Sequence, residues 1–299
     1  MLLSVVICTY NRAELLKKTV KSLCNQDFSR SDYEILIINN QSTDHTNQVI
    51  QSLIKTYPEN RILNFLETSQ GLSYARNRGV KESKGSLICF LDDDIIASRD
   101  LISVYCKFFK SHPQVSSAGG KVVPYFEVDP PVWLSSYLLP LYAQQNLGDC
   151  DSVFRKNSFP IGANMCFRSS FFHTYGLFDT NLGRKGVELL AGEEKELISR
   201  AHLKSDFSNY VAGAVIQHYI PEKRLNLNYI KRQALGTGLS ERFRSKSEES
   251  FISRCLVEVF KWLATLVLFF RYLFTFSLGK GIVLVKFRYW VSRGLLIGR

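Results

Sequence analysis

The sequence has no Cys-x-x-Cys pair, no glycine in the turn after its first apolar run, and no long uncharged segment in its apolar C-terminal stretch. Each absence excludes something. Seven scattered cysteines, an odd number, make neither a disulfide framework nor a zinc site. Cys8, Cys89 and Cys166 lie in apolar runs and read as small core residues in a reducing compartment. The turn Thr9-Tyr-Asn-Arg12 lacks the glycines that bring a backbone against a dinucleotide pyrophosphate, which excludes a dinucleotide oxidoreductase. In the tail the longest uncharged run is the nine residues 262–270, half of the ~18 that mark a spanning helix. The start shows no basic n-region and no small-residue cleavage site. It reads as a first strand, and the N-terminal body is expected to face the cytoplasm.

Negative charge is also scarce, with 27 acids against 38 Lys and Arg, for a net charge of +11. The surplus is local. Residues 251–299 hold eight Lys or Arg and one acid, Glu258, which is +7 of the total. The remaining body is too weakly basic to be a nucleic-acid-binding surface, so no nucleic-acid partner is expected. At 299 residues, 45% hydrophobic and 22% charged, the chain is globular, with room for one large or two small domains.

What is present begins with alternation. Apolar runs over 3–8, 34–38, 61–66, 86–91 and 115–123 read as strands, the first and fourth buried on both faces. Amphipathic runs over 12–25, after 42–44, and over 72–83 and 100–111 read as helices, with Asn11 as N-cap of the first. The expected class is α/β, a doubly wound, mostly parallel sheet, with ligands beyond the carboxyl ends of the strands. From Pro124 the rhythm gives way to a long, proline-punctuated aromatic loop with one short helix. A strand over 161–168, a helix over 193–204 and a strand over 210–218 follow. A basic segment, 231–246, links to the tail.

The strongest local signal is Asp92-Asp93-Asp94 directly after a buried strand. Three adjacent carboxylates repel one another unless a cation or solvent intervenes. Hard oxygen ligands beside substrate phosphates suit Mg²⁺ or Mn²⁺. Asp44 has equal claims as a helix cap, and Glu193-Glu194 precede an apolar-periodic helix whose dipole favours acids.

Val5-Val-Ile-Cys-Thr-Tyr-Asn-Arg12, Asn39-Asn-Gln-Ser-Thr-Asp44, Gly71-Leu-Ser-Tyr-Ala-Arg-Asn-Arg-Gly79 and Phe90-Leu-Asp-Asp-Asp94 occur in this order, with Gly162-Ala-Asn-Met-Cys-Phe-Arg168, Gly192-Glu-Glu-Lys-Glu-Leu197 and Val215-Ile-Gln-His218 after them. The set closely resembles the family 2 inverting glycosyltransferases with the GT-A fold, over roughly residues 1–240. The resemblance implies a catalytic domain over 1–240, with a nucleotide-binding half at 1–125 and an acceptor half at 126–240. It implies that Asp92 contacts the donor ribose and, with Asp94, the divalent metal, Mn²⁺ or Mg²⁺. Asp93 is the middle member of this Asp-x-Asp motif, and His218 is a further metal candidate. Thr9, Asn11 and Asn39 would line the nucleotide pocket and Arg76 would bind the diphosphate. Glu194, with Glu193 as second choice, would be the general base. The resemblance favours a UDP-sugar, but the family usually has Asp, the carboxylate associated with the uracil imide, where this chain has Asn39, which leaves the base open. The implied function is transfer of one sugar to an acceptor hydroxyl in cell-surface glycan or glycolipid synthesis. A catalytically impaired sugar-nucleotide-binding protein and a sugar-nucleotide nucleotidyltransferase are the alternatives.

The tail, 250–299, is expected to form two apolar, basic helices separated at Gly279-Lys-Gly281. Lying on the cytoplasmic face of the cell membrane, they would put Trp262 and Trp290 at the interface and the basic residues on anionic headgroups. Such an anchor would serve a sugar or lipid-linked acceptor.

Overall fold

The structure is a computed structural model that describes residues 2–155, 158–184, 192–244 and 251–297. Strands β1 (Leu3–Thr9), β2 (Tyr33–Asn39), β3 (Ile62–Leu66) and β4 (Leu87–Asp92) pair in parallel in the order β3-β2-β1-β4. Helices α1 (Ala13–Cys24), α2 (Thr46–Thr56) and α3 (Leu72–Glu82) connect them. Beyond β4 the sheet turns antiparallel through β8 (Asn164–Arg168) and continues with β6 (Ser117–Phe126), β9 (Asn209–Ile220) and β5 (Ile95–Ala97). A short β7 (Ser152–Val153) pairs with β9. The doubly wound expectation holds for the parallel half.

Pleating explains the two cores. Leu3, Val5, Ile7, Ile35 and Ile37 pack into one apolar cluster, while Val6, Leu36, Ile38, Ile88 and Phe90 pack into the other. Successive side chains point to opposite faces, so a strand covered on both sides must be apolar throughout. Helix α4 (Leu101–Ser111) covers the first face through Leu101, Ile102, Tyr105 and Phe109. On the other face Phe90 meets Phe178 edge-on at 5.4 Å and 86°. Helices α5 (Ser169–Tyr175) and α6 (Glu193–His202) contribute Phe171, Phe172, Leu197 and Ile198 there.

The chain divides into two units. Among the described residues, the first comprises 2–125, 143–155, 158–184 and 192–219, and holds the sheet. The second comprises 126–142, 220–244 and 251–297. This differs from a break near 240–250. The expected basic link is instead helix α7 (Leu227–Arg244), and the end of the 231–246 segment lies outside the described residues. Helix α7 packs along α9 (Leu278–Ile297) so closely that a Cβ on Gly238 would stand 2.1 Å from the Val291 carbonyl oxygen. The proline-rich stretch contains a 3-10 turn, Ser136–Tyr142, whose Leu138 is buried with Val283 and Leu284 of α9. Helix α8 (Phe251–Phe274) ends in a turn where Phe276 has φ 52. The break therefore precedes Gly279 and Gly281, which both lie within α9. No described helix is long and apolar enough to cross a membrane.

Candidate active site

Strand register brings the first residues together. Thr9 pairs with Asn39 across β1 and β2, and Cys8 pairs with Asp92 across β1 and β4. All lie at carboxyl ends of parallel strands, where backbone groups and side chains are left to meet a ligand. The turn after β1 also holds the loop after β2. Asn11 does not cap α1: that helix starts at Ala13, and Asn11 adopts φ 53 in the left-handed region. Its Oδ1 accepts the backbone N–H groups of Thr43 at 2.7 Å and Asp44 at 3.2 Å, clipping the loop after β2 onto the turn after β1. Asn39 folds the same loop by accepting the Ser42 N–H at 2.9 Å. Asp44 caps the approach to α2, its Oδ1 accepting the Thr46 N–H at 3.0 Å.

In the acidic triplet Asp93 and Asp94 share Arg12 and differ in their other partners. Asp93 is buried, and its Oδ2 accepts the Thr9 hydroxyl at 2.7 Å. Thr9 is itself 2% exposed, so both side chains are engaged inside the fold. Burial pushes the Asp93 carboxyl up to about 7, against the lowering effect of Arg12. Arg12 Nη1 bridges Asp93 Oδ1 at 3.2 Å and Asp94 Oδ2 at 2.5 Å, supplying the cation that the triplet needs.

The short antiparallel strand β5 sets Ile95 opposite His218 of β9, and the Tyr219 N–H donates to the Asp94 carbonyl at 2.8 Å. That register carries His218 Nε2 to 3.1 Å from Asp94 Oδ1. Asp92, Asp94 and His218 each offer one ligand atom, all within 4.8 Å of one another. His218 is 5% exposed, and its Nδ1 has no hydrogen-bond partner among the described residues. Two carboxylates and an imidazole suit Mn²⁺ and tolerate Mg²⁺.

A second charged cluster joins α3 to α6. Arg76, 3% exposed, donates from Nη1 to Glu193 Oε1 at 2.8 Å and from Nη2 to Glu194 Oε1 at 3.2 Å. Its guanidinium fork is thus closed on two carboxylates. Glu193 is buried and its Oε2 accepts the Gly192 N–H. Burial, with the neighbouring Glu194 charge, pushes its carboxyl up to about 7. The Glu194 side chain is 18% exposed. Gly162 leaves room for the pair: a Cβ there would lie 2.0 Å from Arg76 Nη2 and 2.3 Å from Glu194 Oε1.

The sequence model for glycosyl transferase family 2 matches residues 4–176, more than half the chain. The chain belongs to glycosyl transferase family 2. It is 25% identical over 248 residues to a glucosyl-dolichyl phosphate glucuronosyltransferase of Haloferax volcanii, covering 81% of this chain and 77% of that protein. A GalNAc(5)-diNAcBac-PP-undecaprenol beta-1,3-glucosyltransferase of Campylobacter jejuni is 42% identical over 94 residues, which cover 31% of this chain and 29% of that protein. In fold, the chain resembles a mannosyltransferase from Pyrobaculum calidifontis, solved with GDP-Man and Mn²⁺. The TM-score is 0.64 at 15% identity, with 99% and 88% of the two chains covered. It also resembles Staphylococcus aureus TarS residues 1–349 with UDP, with a TM-score of 0.58 at 17% identity and coverage of 79% and 65%. The protein is a glycosyltransferase with a GT-A-like sheet.

Some residues of the transferase site were not singled out from the sequence. Arg12 was read as the start of a helix and holds two of the three acids. Asn40 binds the loop before α3, donating to the Ser69 carbonyl at 2.8 Å and accepting the Gly71 N–H at 2.8 Å. Only the motif Asn39-Asn40 was there to find it. Cys8 lies among the site residues, but burial pushes its thiol up to about 12, which removes it as a nucleophile.

Proposed function

We propose that the protein is an inverting, metal-assisted glycosyltransferase that moves one sugar from a nucleotide-diphospho-sugar to the hydroxyl of a sugar or lipid-linked acceptor, in cell-surface glycan or glycolipid synthesis. The observation that carries this reading is the meeting of Asp92, Asp94 and His218 at the carboxyl end of β4. A divalent cation held there, Mn²⁺ or Mg²⁺, supplies Lewis-acid stabilisation of the charge that grows on the departing diphosphate. The remaining work belongs to side chains. Glu194, the more accessible of the two glutamates, takes the acceptor hydroxyl proton as the oxygen forms its bond to C1 and the C1–phosphate oxygen bond breaks. Arg76 holds Glu194 from the inner side through Nη2, at 3.2 Å from Glu194 Oε1. Asp92 faces the donor ribose, and the Asn11 and Asn39 loops form the nucleotide pocket. A UDP-sugar is favoured. Named relatives act on dolichyl- and undecaprenol-linked glycans, which supports a lipid-linked acceptor. The working location is the cytoplasmic face of the cell membrane, to whose anionic surface the basic C-terminal residues draw the chain.

The test is a thermal-shift series with UDP and GDP, each with and without Mn²⁺. A ligand that binds only the folded form raises stability by RT ln(1 + [L]/Kd). The reading requires a nucleotide shift that grows with Mn²⁺ in the wild type and does not grow in Asp94→Ala. A Mn²⁺-dependent shift of equal size in both proteins removes the cation site.

A further inference from the structure

Helix α8 is inverted in polarity. Arg254, Glu258 and Trp262 face the neighbouring helices. Arg254 Nη1 reaches Glu241 Oε2 of α7 at 2.7 Å. Glu258, 7% exposed, accepts from Arg288 Nη1 at 3.2 Å and from the Ser292 hydroxyl at 3.0 Å, both on α9. Trp262 Nε1 donates to Ser292 Oγ at 2.9 Å, and Trp290 packs into an inner cluster with Tyr142 and Ile230. The two tryptophans and two of the tail's arginines are therefore inside the unit, not at an interface with headgroups as the sequence suggested. The opposite side of α8 is apolar. Ile252, Phe260, Leu263, Val267, Phe270 and Phe274 are each more than half exposed. At 100° per residue these six fall within one narrow stripe of the helix.

A helix in water shows the reverse arrangement, so α8 is built for an apolar medium on its outer side. Charge decides which one. Helices α8 and α9 expose Lys261, Arg271, Lys286 and Arg293, while their one acid, Glu258, is buried against Arg288. A second copy would set these cations against themselves, whereas an anionic leaflet supplies the opposite charge. No described helix is long and apolar enough to span, and the inner face of α8 carries two ion pairs, Arg254–Glu241 and Glu258–Arg288. A flat helix satisfies both faces.

We propose that α8 lies in the plane of an anionic leaflet with the Ile252–Phe274 stripe inserted among the acyl chains, so that insertion and not headgroup pairing provides most of the affinity. This rests on the membrane-surface reading above and adds the element, the face and the mode of binding. Arg271, at the edge of the stripe, extends its stem along the apolar surface and its head to the phosphates.

The experiment is flotation of the full chain with two kinds of vesicle, phosphatidylcholine alone and phosphatidylcholine with phosphatidylglycerol, at low salt and at about 0.5 M salt, where charge attraction is screened within a few ångströms. The expected result is binding to the mixed vesicles that largely survives salt. In Phe260→Glu/Val267→Glu the partition coefficient should fall by about tenfold or more. Both positions are exposed, so the nucleotide-induced thermal shift of the variant should match the wild type. Phe260→Leu/Val267→Leu keeps the stripe apolar and should bind as the wild type does. Salt-sensitive binding that ignores the glutamate pair would overturn insertion while leaving an electrostatic membrane surface intact. A full chain that floats with neither vesicle, and instead forms a dimer broken by the glutamate pair, would overturn both.

Discussion

Two adjacent glutamates at the start of one helix meet different surroundings: Glu193 is buried, and Glu194, the proposed base, is the more accessible. Glu194→Gln keeps shape and loses proton affinity, so it should retain the Mn²⁺-dependent nucleotide shift while transfer falls by about 10²–10⁴-fold. Near-wild-type turnover would move the base to Glu193. The buried Glu193 should appear in stability instead. Its carboxyl ionises near 4.5 when exposed and near 7 in the fold. Between those values the unfolded chain has released the proton and the folded chain retains it. The contribution is therefore fully present below the unfolded value and is lost as pH rises through the folded one. Arg76, Arg184 and Glu194 are the charges that act on it. Urea titrations of Glu193→Gln from pH 4 to 8 should show a flatter decline than the wild type, and superimposable pH dependences would refute the assignment. The positions of Asp92, Asp94, Glu193 and Glu194 were legible because strand ends and helix starts are local features of sequence. The closing of Arg76 on the two glutamates was not, because its partners lie 117 and 118 residues away. Arg12 escaped for the same reason, its acids being 81 and 82 residues distant.

The parallel strands and their helices were readable as elements because each carries a period, two or 3.6, over enough residues to stand out. Strand β5 has three residues and α5 seven, too few for either period to show. Yet β5 carries the register that brings His218 to Asp94, so the placement of a proposed metal ligand depends on an element that patterning could not reveal. The turn after β1 presents a similar case. Asn11 serves there through its backbone angle as much as through its side chain. Asn11→Ala loses the two N–H contacts and forces a Cβ residue with no compensating polar group into φ 53, whereas Asn11→Gly loses the contacts alone. We expect alanine to cost about 1–2 kcal/mol and glycine about half of that, read as denaturant midpoints at constant m-value. Equal midpoints for the two variants would show that the left-handed turn carries no strain.

Over the whole chain, the tail is a component of the second unit and not an appendage. Its α9 residues Val283 and Leu284 bury Leu138 of the proline-rich stretch, and Phe287 and Trp290 join Tyr142, Tyr229 and Ile230. The composition of 251–299, apolar and basic, pointed to a membrane anchor and concealed this second task, since apolar residues facing lipid and apolar residues facing protein look alike in sequence. A soluble fragment ending at residue 250 is therefore not expected. Its α7 would lose the helix that it contacts along most of its length, including the close approach of Gly238 to Gly294 at 3.1 Å for an added Cβ. Segment 126–142 would lose the cover on Leu138. The first unit keeps both of its clusters, because none of their buried members comes from 251–299. Limited proteolysis of the fragment should accordingly cut first within 126–142 and 227–244, with new binding of a hydrophobic dye. The Mn²⁺-dependent nucleotide shift should persist, because Asp92, Asp94 and His218 all belong to the first unit. Protection of 126–142 equal to that in the full chain would show that this stretch is held without α9. Loss of the nucleotide shift would show that the first unit does not stand alone.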